Sequence, residues 1–429
     1  MTTKFNQTAT INQSSQTSTN VGWEAGLKSP LEGVRGQGSG RILALDILRG
    51  ITIAGMILVN NPGSWKYVYE PLEHAQWHGL TPTDLVFPFF MFIMGISMFI
   101  SLRKYNFEFS GDAAKKIIKR TVLLYLVGLG IGWFSLTFRT YNGLYAENLP
   151  FFERLGKAMW NFDRIRILGV IPRLAICYGI VSMIAITLKH KYIPHLIAVI
   201  LIGYFILLLA GNGFAYDKTN ILSIVDYKIL GENHMYNDKG IDPEGILSTI
   251  PAIAHVLLGF LVGKWFYETT DIHAKIERLF IVGAILTFAG FLLSYGCPIN
   301  KKIWSPTYVL VTCGLASTLL ALLIWIIDVK GQKTWCRFFE AFGINPLFMY
   351  VLGAVLSIII GSVIVRTSME LDPITLKPIR ESIKSVFYKD ILQPTFGNHF
   401  GSLMYALLFV GFNWIFGYIL YKKKIYIKL

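Results

Sequence analysis

Long apolar runs separated by short polar segments dominate the chain from Arg41 onward. They cover roughly 43–60, 84–102, 119–137, 168–188, 194–211, 249–267, 279–296, 307–327, 343–365 and 400–421. Each comes near the roughly 20 residues that a helix needs to cross about 30 Å of hydrocarbon. Backbone groups cannot stay unpaired in lipid, so these runs predict helices. The expected fold is all-α: a polytopic membrane bundle of about ten transmembrane helices. Three longer connections, 139–167, 212–247 and 366–399, carry Trp, Phe, Tyr and Pro and are expected to pack as an external cap.

Residues 1–40 differ sharply. They are rich in Ser, Thr, Asn, Gln and Gly and hold almost no apolar run. Such a segment cannot bury enough surface to offset its ordering entropy, so a disordered cytoplasmic tail is expected. It lacks the apolar core of a signal peptide. Residues 41–429 are then the membrane domain.

Composition agrees with the pattern. Hydrophobic residues make up 53% and charged residues only 15% of the 429 residues. Soluble domains carry about 25% charged residues. The net charge of +14 would suggest nucleic acid in a soluble protein. Here basic cytoplasmic loops facing anionic lipid account for it, with no nucleic acid implied. An even number of spans puts both termini on one side, and the Lys and Arg clusters at 103–120, 189–191 and 422–424 put that side in the cytoplasm. Cys177, Cys297, Cys313 and Cys336 show no ligand spacing and read as core residues, with no disulfide frame and no metal.

Asn60 to Phe92 links the first two apolar runs and holds the richest candidate chemistry. His74, in EHAQWHGL, is the side-chain type best suited to exchange a proton near neutral pH, or to carry an acyl group. Its bland alternative is a hydrogen-bonded loop residue. Asp84, at the start of the second run, reads as an N-cap, as the carboxylate that orients His74, or as both. Asn60, Asn61 and Pro62 follow the first run. Their amides either cap a helix end or orient a carbonyl as in an oxyanion hole. Trp77 offers a face to a sugar ring or sits in the interfacial belt. His78, four residues after His74, lacks further ligands at metal spacing.

Ionisable residues inside a span are costly and face a cavity or each other. Asp46 and Arg49 are three apart on one helical face, so they form a packing ion pair or line a ligand tunnel. Arg164, Arg166 and Arg173 stand near the mouth of the fourth run, where snorkelling is the bland account. Asp242 and Glu244 precede the sixth run. They suit the helix N-terminus, or bind an amino sugar through its ammonium and hydroxyls. His255, within an apolar run, reads as a satisfied core histidine.

Several segments together resemble the heparan-α-glucosaminide N-acetyltransferase family of membrane acetyltransferases. They are LALDILRGITIAGMILVNN, HAQWHGLTPTDLVFPFFMFIMG, RILGVIPRLAICY, DPEGILSTIPAIAHVLLGFLVG, KKIWSPTYVLVTCGLAS and FFEAFGINPLFMYVLG. The resemblance implies acetyl transfer across a membrane, from cytoplasmic acetyl-CoA to the amine of glucosamine or a terminal glucosaminide outside. It puts the family's active-site His on His74, its essential Asn on Asn60 and its motif Asp on Asp84. By the resemblance, a polar tail is expected here in place of the luminal domain and first helix of lysosomal members. A few extra residues lie between Asn60 and His74.

The resemblance also suggests a homodimer, and a bacterial inner membrane as the location. Arg49 and Asp46, with Arg103, Lys104, Lys116 and Arg120, are the candidates for holding CoA, whose phosphates suit basic side chains. Trp77, Asp242, Glu244 and Arg173 are the candidates for the saccharide. Competing functions are O-acylation of envelope glycans by the same histidine, and transport of sugars or acids coupled through Asp46 and Arg49.

Overall fold

The computed structural model describes residues 43–147, 149–236, 238–371 and 378–427. The tail expected at 1–40 lies outside them.

The bundle begins with α1 (Leu43–Val59), α2 (Val86–Leu102), α3 (Gly111–Gly143), the short α4 (Phe151–Met159), α5 (Val170–Thr187) and α6 (Ile193–Ala210). It continues with the short α7 (Ile221–Ile229), α8 (Ile246–Glu268), α9 (Ile272–Leu293), α10 (Pro306–Leu323), α11 (Cys336–Gly343) and α12 (Pro346–Ser362). A last helix spans Asn398–Lys422. Every apolar run is helical, and among the described residues eight helices are long and apolar enough to cross a membrane. The bent pair α11 and α12 passes the same test of length and composition when the two are taken together as one span. α1 has 17 residues, about 26 Å of helix, slightly less than the hydrocarbon core.

The helices differ in what they face. α2, α5, α8 and α10 are largely buried against one another, whereas α3 and α9 turn most of their apolar surface outward. Phe288, Leu292 and Ile285 of α9 are exposed. Contiguous exposed apolar surface of this kind belongs against lipid.

Three boundaries depart from the apolar pattern, each for a local reason. α3 starts well before 119, because Ser110 caps it through the Ala113 amide and its basic first turns are helical without being apolar. α9 starts at Ile272, where Asp271 accepts from the Ala274 amide. The ninth run is a broken span, with α11 and α12 meeting at 85°. Pro346 opens α12 and has no N–H to donate. It also forces the preceding Asn345 out of the helical region, to φ −124 and ψ 58.

The break sits against α1. A Cβ at Gly50 would fall on the Phe339 carbonyl, and one at Gly343 on the Asp46 carbonyl. Only glycine permits this backbone approach, the usual device for close helix contact in membranes.

The connections on the His74 side are ordered by cross-links between segments. Gly79 N donates to Ile299 O at 2.9 Å, and Ile167 N to His234 O at 3.0 Å. Asn142 Nδ2 donates to Ser362 O at 2.8 Å. One element was not legible in the apolar pattern: an antiparallel hairpin of β1 (Ile364–Leu371) and β2 (Pro378–Ser382). The fold is otherwise all-α.

Candidate active site

α1 ends at Val59, and Asn61 finishes it by donating Nδ2 to Ile57 O at 2.7 Å. Capping is thus the work of Asn61, and Asn60 is left exposed at the helix end. The chain then loops to Pro82, where a short turn, Pro82–Leu85, leads into α2.

Asp84 is the centre of that turn and is 1% exposed. Its Oδ2 accepts from Ala75 N at 3.0 Å, Thr81 N at 3.2 Å and Thr81 Oγ1 at 3.0 Å. Its Oδ1 lies 2.7 Å from His74 Nδ1. One carboxylate therefore caps the turn and fixes a histidine ring. A buried charge is tolerable only when paired and hydrogen-bonded in this way. Tyr308 of α10 pins the same residue by donating its OH to the Asp84 carbonyl at 2.6 Å.

A lysine completes the group. Lys301 Nζ lies 3.3 Å from Asp84 Oδ1 and 2.9 Å from His74 Nδ1. Nδ1 cannot donate to Asp84 and accept from an ammonium at once. The nearer, charged partner is the carboxylate, so Nδ1–H donates to Asp84 and Lys301 pairs with the same oxygen. That tautomer leaves the lone pair on Nε2, which lies 3.4 Å from Lys301 Nζ. Burial pulls the Lys301 ammonium below the ordinary lysine range, and Asp84 and Glu244 offset part of that pull.

These groups line a cavity of about 410 Å³ with Asn60, Glu244, Lys302 and Tyr350. Glu244 is held by Arg166 at 2.6 Å. Burial opposes its charge, but Arg166 and Arg173 outweigh burial and hold the carboxyl below its usual range. Tyr350 stands in the first turns of α12, five residues beyond Asn345, or about 7.5 Å of helix. Asn345 bonds to Ile425 and Ile427, beyond the end of the last helix. The broken span thus carries the cavity's lining from the His74 loop well into the bundle.

At the far end of α2 lies a second cavity, of about 220 Å³, lined by Lys104, Lys116, Lys119 and Arg120. Arg103 is not in its wall; its guanidinium stacks on Tyr267 at 5.4 Å. The two cavities share no lining residue, and their walls take residues from opposite ends of α2, a helix about 26 Å long.

Other candidates have been drawn into the framework. Asp46 and Arg49 pair at 3.0 Å, and Arg49 also donates to Ser97 Oγ at 2.9 Å, in neither cavity wall. Asp242 is wholly buried; it accepts from Arg166 at 2.5 Å and from the Tyr236 and Glu244 amides. Arg173, also wholly buried, binds Ser248 and the Gly245 carbonyl at the start of α8. Trp77 stacks on Tyr216 at 4.4 Å and donates to Phe214 O. His78 faces Asn300, and His255 binds the Pro88 carbonyl at 2.8 Å. Of the saccharide candidates, only Glu244 lines the His74 cavity.

The profile of the family described as heparan-alpha-glucosaminide N-acetyltransferase, catalytic, matches residues 41–296. The chain belongs to that family. Human heparan-alpha-glucosaminide N-acetyltransferase is 29% identical over 373 residues, covering 72% of this chain and 52% of the human protein. The mouse protein of the same name is 28% identical over 384 residues, covering 74% and 54%. The chain thus spans about half the length of these curated relatives. The matched family region contains Asn60, His74, Asp84, Arg166 and Glu244. It ends before Lys301, Lys302 and Tyr350, which lie in two of the resembling segments and were not among the candidate site residues. The Lys301–Lys302 pair did carry a signal: two cations in a short connection on the side expected to be poor in them.

Proposed function

We propose that this chain is a membrane acetyltransferase that moves acetyl from acetyl-CoA to the amine of glucosamine or a terminal glucosaminide. The observation that carries the reading is the His74–Asp84 contact at 2.7 Å, set in a cavity wall with Asn60, Glu244 and Lys301.

A glucosamine amine is protonated at neutral pH and attacks only after losing that proton. Glu244 supplies a carboxylate for the ammonium to meet. That ammonium loses one proton to solvent, and His74 Nε2 removes a second proton from nitrogen as the new C–N bond forms. The C–S bond breaks, and the same proton passes from His74 to the CoA sulfur. Asp84 holds the ring and stabilises its cationic form meanwhile. The Asn60 amide donates to the carbonyl oxygen as it gains charge, and removing one such donor costs on the order of 100- to 1000-fold in rate. Lys301 places a cation beside the departing thiolate. An acetylated Nε2 is the other route through the same atom, and it leaves labelled acetyl on the protein when acceptor is absent.

In this reading the His74 face is external, and both termini are cytoplasmic, in a bacterial inner membrane. CoA phosphates rest on Lys104, Lys116, Lys119 and Arg120, and the pantetheine arm follows the broken span toward Tyr350. Reaction requires a passage to open between the two cavities.

The test gives purified protein acetyl-CoA and a panel of amino and hydroxyl sugars, with products identified by mass spectrometry. N-acetylated amino sugar supports the reading. Acetate esters would move it to O-acylation, and no acetylated product would contradict it.

A further inference from the structure

α3 marks where the hydrocarbon ends. No charged side chain occurs among residues 121–138, between Arg120 and Arg139. That stretch of helix measures about 27 Å, close to the hydrocarbon thickness of about 30 Å. Arg139 therefore stands at the hydrocarbon edge on the His74 side.

The short α4 folds back onto this edge. Trp133 Nε1, from the α3 turns just inside it, donates to Met159 O at the end of α4 at 2.8 Å. Asn161 Nδ2 donates to Thr140 Oγ1, just outside it, at 2.9 Å. These two bonds hold the end of α4 at the level where acyl chains give way to headgroups.

Helical spacing sorts the side chains of α4 into three flanks. Arg154 lies 3.9 Å over the Tyr141 ring of α3, and Ala158, four residues on, is buried. Glu153 and Lys157, also four apart, pair at 3.3 Å on a polar flank. Phe151, Leu155 and Met159 form an apolar flank with Phe152 beside them. Phe152 is 83% exposed, and Trp160, just past the helix, is 81% exposed. The Trp160 ring meets that of Phe162 edge to face at 5.4 Å.

Aromatic surface left this open marks a contact with something outside the chain. Depth, charge and size decide what. Tryptophan and its neighbours at the hydrocarbon edge suit the lipid–water boundary. On α4 itself Lys157 is paired and Arg154 is stacked, so the helix offers no free cation to an acidic headgroup. A helix of 9 residues falls far short of the roughly 800 Å² that a standard protein interface takes from each partner.

We propose that α4, with Trp160 and Phe162, is an in-plane anchor seated at the glycerol–acyl boundary of the phospholipid leaflet on the His74 side. Amphipathic helices with aromatic apolar faces lie in the interface in this way. Arg166, four residues after Phe162, pairs with Glu244 and lines the His74 cavity. The anchor thus ties one wall of that cavity to the bilayer. The inference holds whatever reaction the cavity carries out.

The experiment places a nitroxide on single cysteine variants of the full chain in phosphatidylcholine nanodiscs. It compares access by oxygen, which dissolves in lipid, with access by a water-soluble nickel chelate. The four native cysteines are buried, and wild type treated with the same reagent checks that they stay unlabelled. Ile285→Cys on α9, facing lipid, and Lys157→Cys, on the polar flank of α4, set the ends of the scale. Labels at Phe152→Cys and Trp160→Cys should give oxygen-to-nickel ratios nearer that of Ile285→Cys, unchanged when phosphatidylglycerol is added. All four positions are exposed, so the labelled proteins keep the fold. Ratios nearer that of Lys157→Cys would overturn the proposal, as would a lipid-like ratio seen only with phosphatidylglycerol. Exclusion of both reagents, with spin–spin broadening that fades on dilution by unlabelled protein, would overturn it in favour of a second copy on this flank. Equal ratios at Lys157→Cys and Ile285→Cys would also overturn it, by submerging the whole helix.

Discussion

Lys301 Nζ lies 3.3 Å from Asp84 Oδ1, so the carboxylate that holds His74 is itself held by a cation from a distant part of the chain. Burial lowers the proton affinity of that ammonium. The sign follows directly: the cation is complete below its lowered pKa and is lost at a pH where an ordinary lysine would keep it. Acetyl transfer should therefore show an alkaline limb below the usual lysine range of about 10.4. Lys301→Arg should move that limb upward, because guanidinium keeps its proton. A pH–rate profile of kcat/KM checks both, and a limb unchanged by Lys301→Arg contradicts the role given to Lys301.

Asp84→Asn keeps an oxygen for the turn but places an NH2 group where His74 Nδ1–H now donates. The ring must rotate or change tautomer. The comparable change in a histidine–carboxylate pair lowers kcat by about 10⁴. A loss on the order of 10³ to 10⁴ is expected in kcat, with the melting temperature changed far less. Comparable losses in stability and rate would mean that Asp84 is a cap and nothing more.

The cavity at the far end of α2 should be read out by KM. Lys116→Ala with Arg120→Ala is expected to raise KM for acetyl-CoA by about 10- to 100-fold, the scale of one or two charged hydrogen bonds. kcat should stay within a few-fold of wild type. An acetyl donor lacking the CoA 3′-phosphate should show a smaller difference between wild type and variant. Steady-state kinetics with both donors measure this.

The contact of α1 with α11 predicts a stability effect. Gly50→Ala puts a methyl group on the Phe339 carbonyl, whereas a Cβ at Gly130 meets nothing within 4 Å. Overpacking of this kind costs about 1–3 kcal/mol. Gly50→Ala should lower the melting temperature in detergent clearly, and Gly130→Ala should not.

The sequence displayed the helices well, because a lipid-crossing helix needs a long apolar run and little else. Of the site, Asp84 was legible in both of its roles, since a cap and a histidine partner are set by residues within ten positions. Lys301 was not, for it reaches His74 from 227 residues away. Asp242 and Arg173 resembled ligand-binding groups, but burial has turned them into braces for the start of α8. The broken ninth span was written in Asn345–Pro346, and an apolar run by itself does not show a bend.

The central claim is that the His74 imidazole performs the transfer. The most direct measurement incubates purified wild-type and His74→Ala proteins with acetyl-CoA and glucosamine, and follows N-acetylglucosamine alongside acetyl-CoA binding. General acid–base catalysis contributes typically 10²- to 10⁴-fold, so the variant should bind acetyl-CoA normally and lose at least about 100-fold in kcat. A His74→Ala protein that transfers acetyl at the wild-type rate would contradict the account.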